Sequence, residues 1–292
     1  MEKLLLVDGS NLLFQMFFGM PARIINTQGK AIQGTLGFVG ALLKIIRKII
    51  PTHVAVLFDG ERHNPRVDVD ADYKANREDY SHVAEEENPF SQLPDIYAAL
   101  DFLGIRHAET TNCETDDWMA GYVKKYAGGD MTAGTLSEDA PEIVISSFDS
   151  DFFQLISDNV TIFRYRGENS VLCDKTYLQD KFGITPERYA DFKSLTGDTA
   201  DNIKGAEKVG PKTAAQLVNA FGSLEEILAR AEEIKKPSVR ESLLRDADRL
   251  RKNYRLIKLD GAEELPFTLD EVAWQDSSIT TTEVLKGIGL KG

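Results

Sequence analysis

The stretch Leu4-Leu5-Leu6-Val7-Asp8, an unbroken apolar run that stops on a carboxylate, decides the fold. Two further stretches repeat the pattern. Val54-Ala55-Val56-Leu57-Phe58 runs into Asp59, and Ile143-Val144-Ile145 leads through Ser146-Ser147-Phe148 to Asp149. Short apolar runs without alternation suit strands buried on both faces, as in a parallel sheet covered by helices. Ligands of open α/β sheets bind beyond the carboxyl ends of the strands, so the three aspartates are expected to converge.

More acids come in groups: Glu114 with Asp116 and Asp117, Asp149 with Asp151, and Asp198 with Asp201. Nine carboxylates in one place raise one another's pKa and cannot all stay ionised without cations. Oxygen ligands with no His or Cys nearby suit Mg²⁺ or Mn²⁺. Two such ions about 3.5–4 Å apart would stabilise both the attacking and the leaving oxygens of a phosphoryl displacement. In a chain with 47 acids, a single carboxylate is ordinarily solvated surface, and helix N-capping accounts for one member of the Glu114 to Asp117 cluster. Their place at strand ends takes Asp8, Asp59 and Asp149 out of that reading.

The 292 residues, 42% of them hydrophobic, suffice for one large α/β domain or a core with a smaller helical lobe. The net charge of −13 is opposite in sign to the surface a nucleic-acid binder normally shows. Setting aside the nine candidate ligands leaves 38 acids against 34 bases, or −4, before any bound metal adds its charge. The acidity is therefore largely local, and a basic track elsewhere stays open. Cys113 and Cys173 form no CxxC or Cys/His cluster, which speaks against zinc and thiol redox chemistry and for reduced packing residues. Leu4 to Val7 is too short for a signal peptide, and no apolar run approaches the roughly 20 residues of a spanning helix. A cytoplasmic location with no membrane contact is expected.

Outward from the first strand, Asn11 to Phe18 starts a helix, and Gly34 to Ile50 is another, with Leu36, Val39, Leu42, Leu43, Ile46 and Ile50 on its inner face and Pro51 as its stop. From Gly60 to Pro89 the pattern breaks down into charged and small residues without a buried face, which reads as a mobile functional loop or disorder. A helix over Ser91 to Leu103 ends at Gly104, and a short strand covers Ile105 to His107. A helix from Glu114 to Tyr126 carries Glu114 and Asp117 on one face of its first turn. Gly128 to Asp139 is a polar linker. After Asp149 a short helix spans Phe152 to Ile156, and Val160 to Tyr165 and Ser170 to Cys173 read as edge strands. The chain to about Lys258 is mostly helical, and the last thirty residues show too little periodicity for more than a loose terminal segment.

A second informative stretch is Thr196-Gly197-Asp198-Thr199-Ala200-Asp201-Asn202-Ile203-Lys204-Gly205, followed by Val209-Gly210-Pro211-Lys212-Thr213-Ala214. Glycines allow close backbone approach, and a tight turn opening a helix aims free N–H groups outward, a phosphate-binding geometry. Lys204, Lys208 and Lys212 add positive charge. An ordinary loop between two helices is the competing reading of the glycines alone.

Six blocks then fall in order: Leu6-Val7-Asp8-Gly9-Ser10, Phe58-Asp59-Gly60, Tyr73-Lys74-Ala75-Asn76-Arg77, Glu114-Thr115-Asp116-Asp117, Asp149-Ser150-Asp151 with Gln154-Leu155, and Gly197-Asp198 to Asp201-Asn202-Ile203. Together they resemble the 5′-nuclease (flap endonuclease) family, which includes the N-terminal nuclease domain of bacterial DNA polymerase I, over roughly residues 3 to 260. The resemblance implies an α/β fold: a PIN-like core with a mostly parallel central sheet flanked by helices, plus a helix-three-turn-helix region near residues 186 to 220. It implies a nuclease core over 1–175 with an arch or gateway at about 60–90, a helical region over 176–260, and a C-terminal segment over 261–292.

By the same resemblance, Asp8, Asp59, Glu114, Asp116 and Asp117 would hold a first metal ion, and Asp149, Asp151, Asp198 and Asp201 a second. Lys74 and Arg77 would neutralise the scissile phosphate, so that Lys74, Arg77, Asp8, Glu114 and Asp116 form the catalytic set. Tyr73 would stack on an unpaired base and Arg66 would contact phosphate. The hairpin with Lys204, Gly205, Lys208, Val209, Gly210, Lys212 and Thr213 would bind duplex phosphates and a K⁺ ion. Phe148 stands where the family commonly has glycine, Thr115 where it has alanine, and Lys208 in place of the usual first hairpin glycine. With no room for a polymerase domain after residue 260, a free-standing monomeric nuclease is expected, cutting 5′-flap, branched or 5′-ended duplex DNA to 5′-phosphate and 3′-hydroxyl ends. Two alternatives stand beside it. A catalytically silent DNA-junction-binding module would gain nothing from carboxylates facing phosphates, and a PIN-type ribonuclease would not need the Asp198 to Ala214 element.

Overall fold

In the computed structural model, residues 2–20, 23–60, 65–127 and 140–290 are described. The strand β1 (Lys3–Asp8) lies at the middle of a six-stranded sheet and is followed at once by helix α1 (Gly9–Gly19). Helix α2 (Gln33–Ile49) ends at Ile50, just before Pro51, and leads to β2 (His53–Phe58). Next come a short helix α3 (Pro65–Val69), several 3₁₀ turns, α4 (Leu93–Phe102), β3 (Arg106–Glu109), α5 (Thr115–Tyr126) and β4 (Glu142–Ser146). After a 3₁₀ turn at Asp151–Leu155, β5 (Val160–Arg164) and β6 (Val171–Cys173) complete the sheet.

The strand order is β3-β2-β1-β4-β5-β6, and every pairing is parallel except β5 with β6. β1 therefore pairs with β2 on one side and β4 on the other, and the chain reverses its direction of sheet growth between β1 and β4. That is a topological switch point, where the connections diverge and leave a crevice. Both faces of the sheet are covered. Leu4, Leu6, Ala55, Leu57, Ile143 and Ile145 point into one apolar cluster, and Leu5, Val7, Val54, Val56 and Val144 into the other. This explains why the strands read as continuous apolar runs. Gly9 is required at the first turn out of β1, because a Cβ there would lie 2.5 Å from the Phe58 ring.

The helical region comprises α6 (Lys175–Phe182), α7 (Tyr189–Thr196), α8 (Pro211–Phe221), α9 (Leu224–Ala229) and α10 (Pro237–Ile257). Between α7 and α8 a small hairpin pairs β7 (Gly197–Asp198) with β8 (Ile203–Lys204). Among the described residues no helix is long and apolar enough to cross a membrane.

Three expectations need correction. β5 is not an edge strand, because it is hydrogen-bonded to β4 and β6 on its two sides. The stretch after Gly60 is not without a buried face: Pro65–Val69 is helical, and Tyr73 is 5% exposed. Residues 61–64 of it, like the linker at 128–139, lie outside the described residues. The C-terminal segment is not loose. Trp274 donates its backbone N–H to the Thr52 carbonyl at 2.9 Å and its indole N–H to the Leu103 carbonyl at 3.2 Å. Its helix α11 (Thr281–Gly287) buries Val284 against α2 and α4. A few large apolar anchors hold this segment down where a periodic stripe would have announced it.

Candidate active site

Asp8 closes β1 and caps α1, its Oδ1 accepting the Asn11 N–H at 2.9 Å while Oδ2 accepts the Ser147 hydroxyl at 2.8 Å. Asp59 follows β2, and its Oδ1 accepts the Thr115 N–H at the start of α5 at 2.9 Å. Glu114 and Asp117 frame that same start, with Asp117 Oδ2 accepting the Glu114 N–H at 3.1 Å. The capping reading thus holds for part of the cluster, and the same carboxylates also pair with Arg66 and Lys74. Beyond β4, Ser147 Oγ accepts the Asp149 N–H at 3.0 Å, and Asp149 Oδ1 accepts the Asp151 N–H at 2.8 Å. Asp198 and Asp201 enter from the hairpin after α7. Asp151, Asp198 and Asp201 each offer an oxygen within 4.8 Å of the others, the one such trio among the described residues.

The electrostatics link these acids into one group. Burial, and then the charge of Asp59, push Asp8 up to about 8, with Asp149 contributing. Asp151 also rises to about 8, chiefly through burial, with Lys193 opposing and Asp149 and Asp116 adding to it. Burial likewise raises Asp149, which feels Asp116 and Asp201. Glu114 and Asp117 are raised by burial against nearby cations. Burial opposes ionisation of Asp116 and Asp198 too, but Lys74 and Arg66 hold the first below its ordinary value, and Lys193 holds the second there. Asp8, Glu114, Asp151 and Asp201 are buried, Asp116, Asp117, Asp149 and Asp198 half-buried and Asp59 exposed, and a crowded oxygen-only donor set of this kind fits hard divalent cations, which would relieve the repulsion among the carboxylates.

Four cations stand among the acids. Arg66 reaches Glu114 and Asp117, the latter at 2.8 Å, and lies 3.9 Å from Asp116. Lys74 pairs with Glu114, and Arg77 with Asp201 at 2.9 Å. The fourth, Lys193, is absent from the residues that the sequence singles out. It is 5% exposed and pairs with Asp151 and, at 2.5 Å, with Asp198. Burial disfavours its charge, but Asp151, Asp149 and Asp198 raise it above an ordinary lysine. With Asp191, Ser194 and Thr196 also on α7, the sequence carries no clear signal that this lysine is buried.

Tyr73 departs from its expected role. Its hydroxyl donates to Glu114 Oε2 at 3.0 Å, and its ring packs with Ala190, Ile203, Leu256 and Ile257, so no face is open for a base. Lys204, Lys208 and Lys212 are exposed, Lys208 takes the left-handed conformation (φ 65°) that a glycine would favour, and Gly210 begins α8 without a side-chain cap. Gly205 cannot carry a Cβ, which would collide with the Thr196 and Leu195 backbone.

Two family descriptions span the chain: "5′-3′ exonuclease, N-terminal resolvase-like domain" over residues 3–183, and "5′-3′ exonuclease, C-terminal SAM fold" over residues 184–280. DNA polymerase I of Rhizobium leguminosarum is 33% identical over 278 residues, covering 92% of this chain and 25% of that protein. The thermostable DNA polymerase I of Thermus aquaticus is 31% identical over 268 residues, covering 92% and 29%. The chain thus spans between a quarter and a third of the length of these polymerases. Among solved structures, the T5 D15 protein co-crystallised with metal ions superposes with a TM-score of 0.70 at 22% identity, covering 88% of this chain and 90% of that one. The catalytic core of Rad2 in complex with DNA substrate (complex III) gives 0.61 at 16%, covering 99% and 89%. These two likenesses are of fold.

Proposed function

The chain belongs to the 5′-3′ exonuclease family, and from that premise we propose that it is a metal-dependent 5′-3′ exonuclease and structure-specific flap endonuclease. It would hydrolyse phosphodiesters of 5′-flap, branched or 5′-ended duplex DNA to 5′-phosphate and 3′-hydroxyl ends. The observation that carries this reading is the electrostatic grouping of acids from the ends of β1, β2 and β4, the start of α5 and the β7–β8 hairpin, most of them buried or half-buried, around their own lysines and arginines. Asp8, Asp59, Glu114, Asp116 and Asp117 would hold one Mg²⁺ or Mn²⁺ ion, and Asp149, Asp151, Asp198 and Asp201 a second. When bound, such ions supply charge stabilisation for an in-line displacement at phosphorus.

The protein's own groups do the rest. Lys74 and Arg77 bring fixed positive charge to the place where phosphate charge develops. Ser147 orients Asp8 by donating to it. The exposed Lys204, Lys208 and Lys212 with the uncapped start of α8 grip duplex phosphates, and backbone carbonyls of the same turn would accept a K⁺ ion. Arg66, now held by Glu114 and Asp117, would turn to phosphate as a further contact. The protein would act as a monomer in the cytoplasm.

The test is cleavage of 5′-flap DNA, a matched RNA and blunt duplex, each with Mg²⁺, Mn²⁺ or EDTA. Flap and 5′-end cleavage abolished by EDTA is expected. Binding to the flap without cleavage in either metal would favour a silent junction binder, and preferential RNA cleavage would favour a PIN-type ribonuclease.

A further inference from the structure

The segment carrying Lys74 and Arg77 rests on the helical region. Tyr73 is the centre of a small apolar cluster, separate from the two that cover the sheet, made with Ala190 of α7, Ile203 of β8, and Leu256 and Ile257 of α10. Around it the segment is pinned at four places, two through its backbone and two through its side chains. Asn202 donates its side-chain amide to the Asp72 carbonyl at 2.8 Å, and Asn76 donates to the Thr199 carbonyl at 3.0 Å. The Lys74 N–H donates to the Asp201 carbonyl at 3.1 Å, and Lys252 of α10 pairs with Asp70 at 2.6 Å. Lys74 itself lies at φ 57°, a conformation a lysine holds only when its surroundings impose it. Asn202, opposite it at φ 59°, is of a residue type that tolerates that conformation.

The same helix also holds the hairpin. Asn253 donates to the carbonyls of Ser194 and Lys204 at 3.1 and 2.9 Å, and Arg249 donates to the Gly205 carbonyl at 3.1 Å. One turn of α10 therefore grips the lysine-bearing hairpin with Arg249 and Asn253 and the cation-bearing segment with Lys252.

We propose that Asn202, Asn76 and the Lys252–Asp70 pair are positioning residues, a latch that makes Lys74 and Arg77 move as one body with the hairpin that grips duplex DNA. The inference rests on the nuclease reading above and adds to it a coupling: a duplex seated on residues 204–213 fixes where the phosphate-facing cations stand. None of the latch residues needs to touch the DNA. Their loss frees Lys74 to leave its imposed conformation, and the cost falls on turnover, since displacements on the order of 1 Å at a reacting centre cost large factors in rate.

The experiment compares the wild-type chain with Asn202→Gly, which removes the amide while keeping the positive φ accessible, and with Lys252→Asp, Asp70→Lys and the two combined. Turnover of a 5′-flap DNA is measured in Mg²⁺, affinity for the same DNA in EDTA, and folding by thermal melting. Expected is a loss of roughly tenfold or more in kcat for Asn202→Gly and for each single charge reversal, with affinity unchanged, and recovery of kcat in the double reversal. Unchanged turnover in all variants, a loss confined to affinity, or a double reversal no better than the singles in folded protein would overturn the latch. A wild-type protein that leaves the flap whole would instead overturn the nuclease reading on which the latch stands.

Discussion

Lys193, a residue only 5% exposed, pairs its ammonium group with Asp151 and Asp198. Removing one partner of a buried ion pair leaves uncompensated charge and typically costs about 3–5 kcal/mol. Lys193→Ala is therefore expected to melt well below wild type in EDTA and to recover most of the difference when Mg²⁺ or Mn²⁺ is added; equal melting in EDTA would remove the counterion role. For Lys74→Ala the expectation is kinetic: turnover falls about 10²–10³-fold while duplex affinity stays nearly constant. Matched losses in both would contradict the place given to Lys74 beside the phosphate. The acids are legible in the sequence because Asp8, Asp59 and Asp149 end apolar runs, a position with one geometric meaning. The cations are less so. Nothing in the spacing of Lys193 and Asp198 says that a lysine turns inward, and the stacking role that the family resemblance implies for Tyr73 gives no hint that its ring packs against α7, β8 and α10.

Among the elements, the hairpin and the C-terminal segment make separate predictions. Substituting Lys204, Lys208 and Lys212 by Ala should lower the slope of log affinity against log salt by roughly one for each phosphate that is no longer neutralised, as measured by titrating duplex DNA over a salt series. An unchanged slope would place the duplex elsewhere. Trp274 is nearly buried and makes two hydrogen bonds to the core. Trp274→Ala should cost about 3–5 kcal/mol in denaturant unfolding, and a cost near zero would show that the terminal segment is no part of the cooperative fold. The central strands are readable from their unbroken apolar runs, and α2 because it is long enough to show its period. The terminal segment is not, because its anchors come as two close pairs, Val272 with Trp274 and Val284 with Leu285, ten residues apart, with no repeat between them.

For the whole molecule, the proton balance of the acid crevice sets a pH dependence. Asp8 and Asp151 are raised in the folded protein to about 8 from the 3.8 of an ordinary aspartate. The folded protein therefore binds more protons than the unfolded chain between those values, and this contribution to stability is full below about pH 4 and lost as pH rises through about 8. In EDTA the melting temperature should fall between about pH 5 and about pH 8, and divalent metal should reverse the fall at the upper end. A rise over that range in EDTA would mean that these carboxylates are ionised without help.

The candidate acids stand at residues 8, 59, 114, 116, 117, 149, 151, 198 and 201, and no single stretch of the chain supplies them all. On the proposed reading, a polypeptide still emerging from the ribosome has no cutting edge until the turn at Asp198 and Asp201 has been made and folded. Order of synthesis would then itself delay any cutting until the last of these acids is in place.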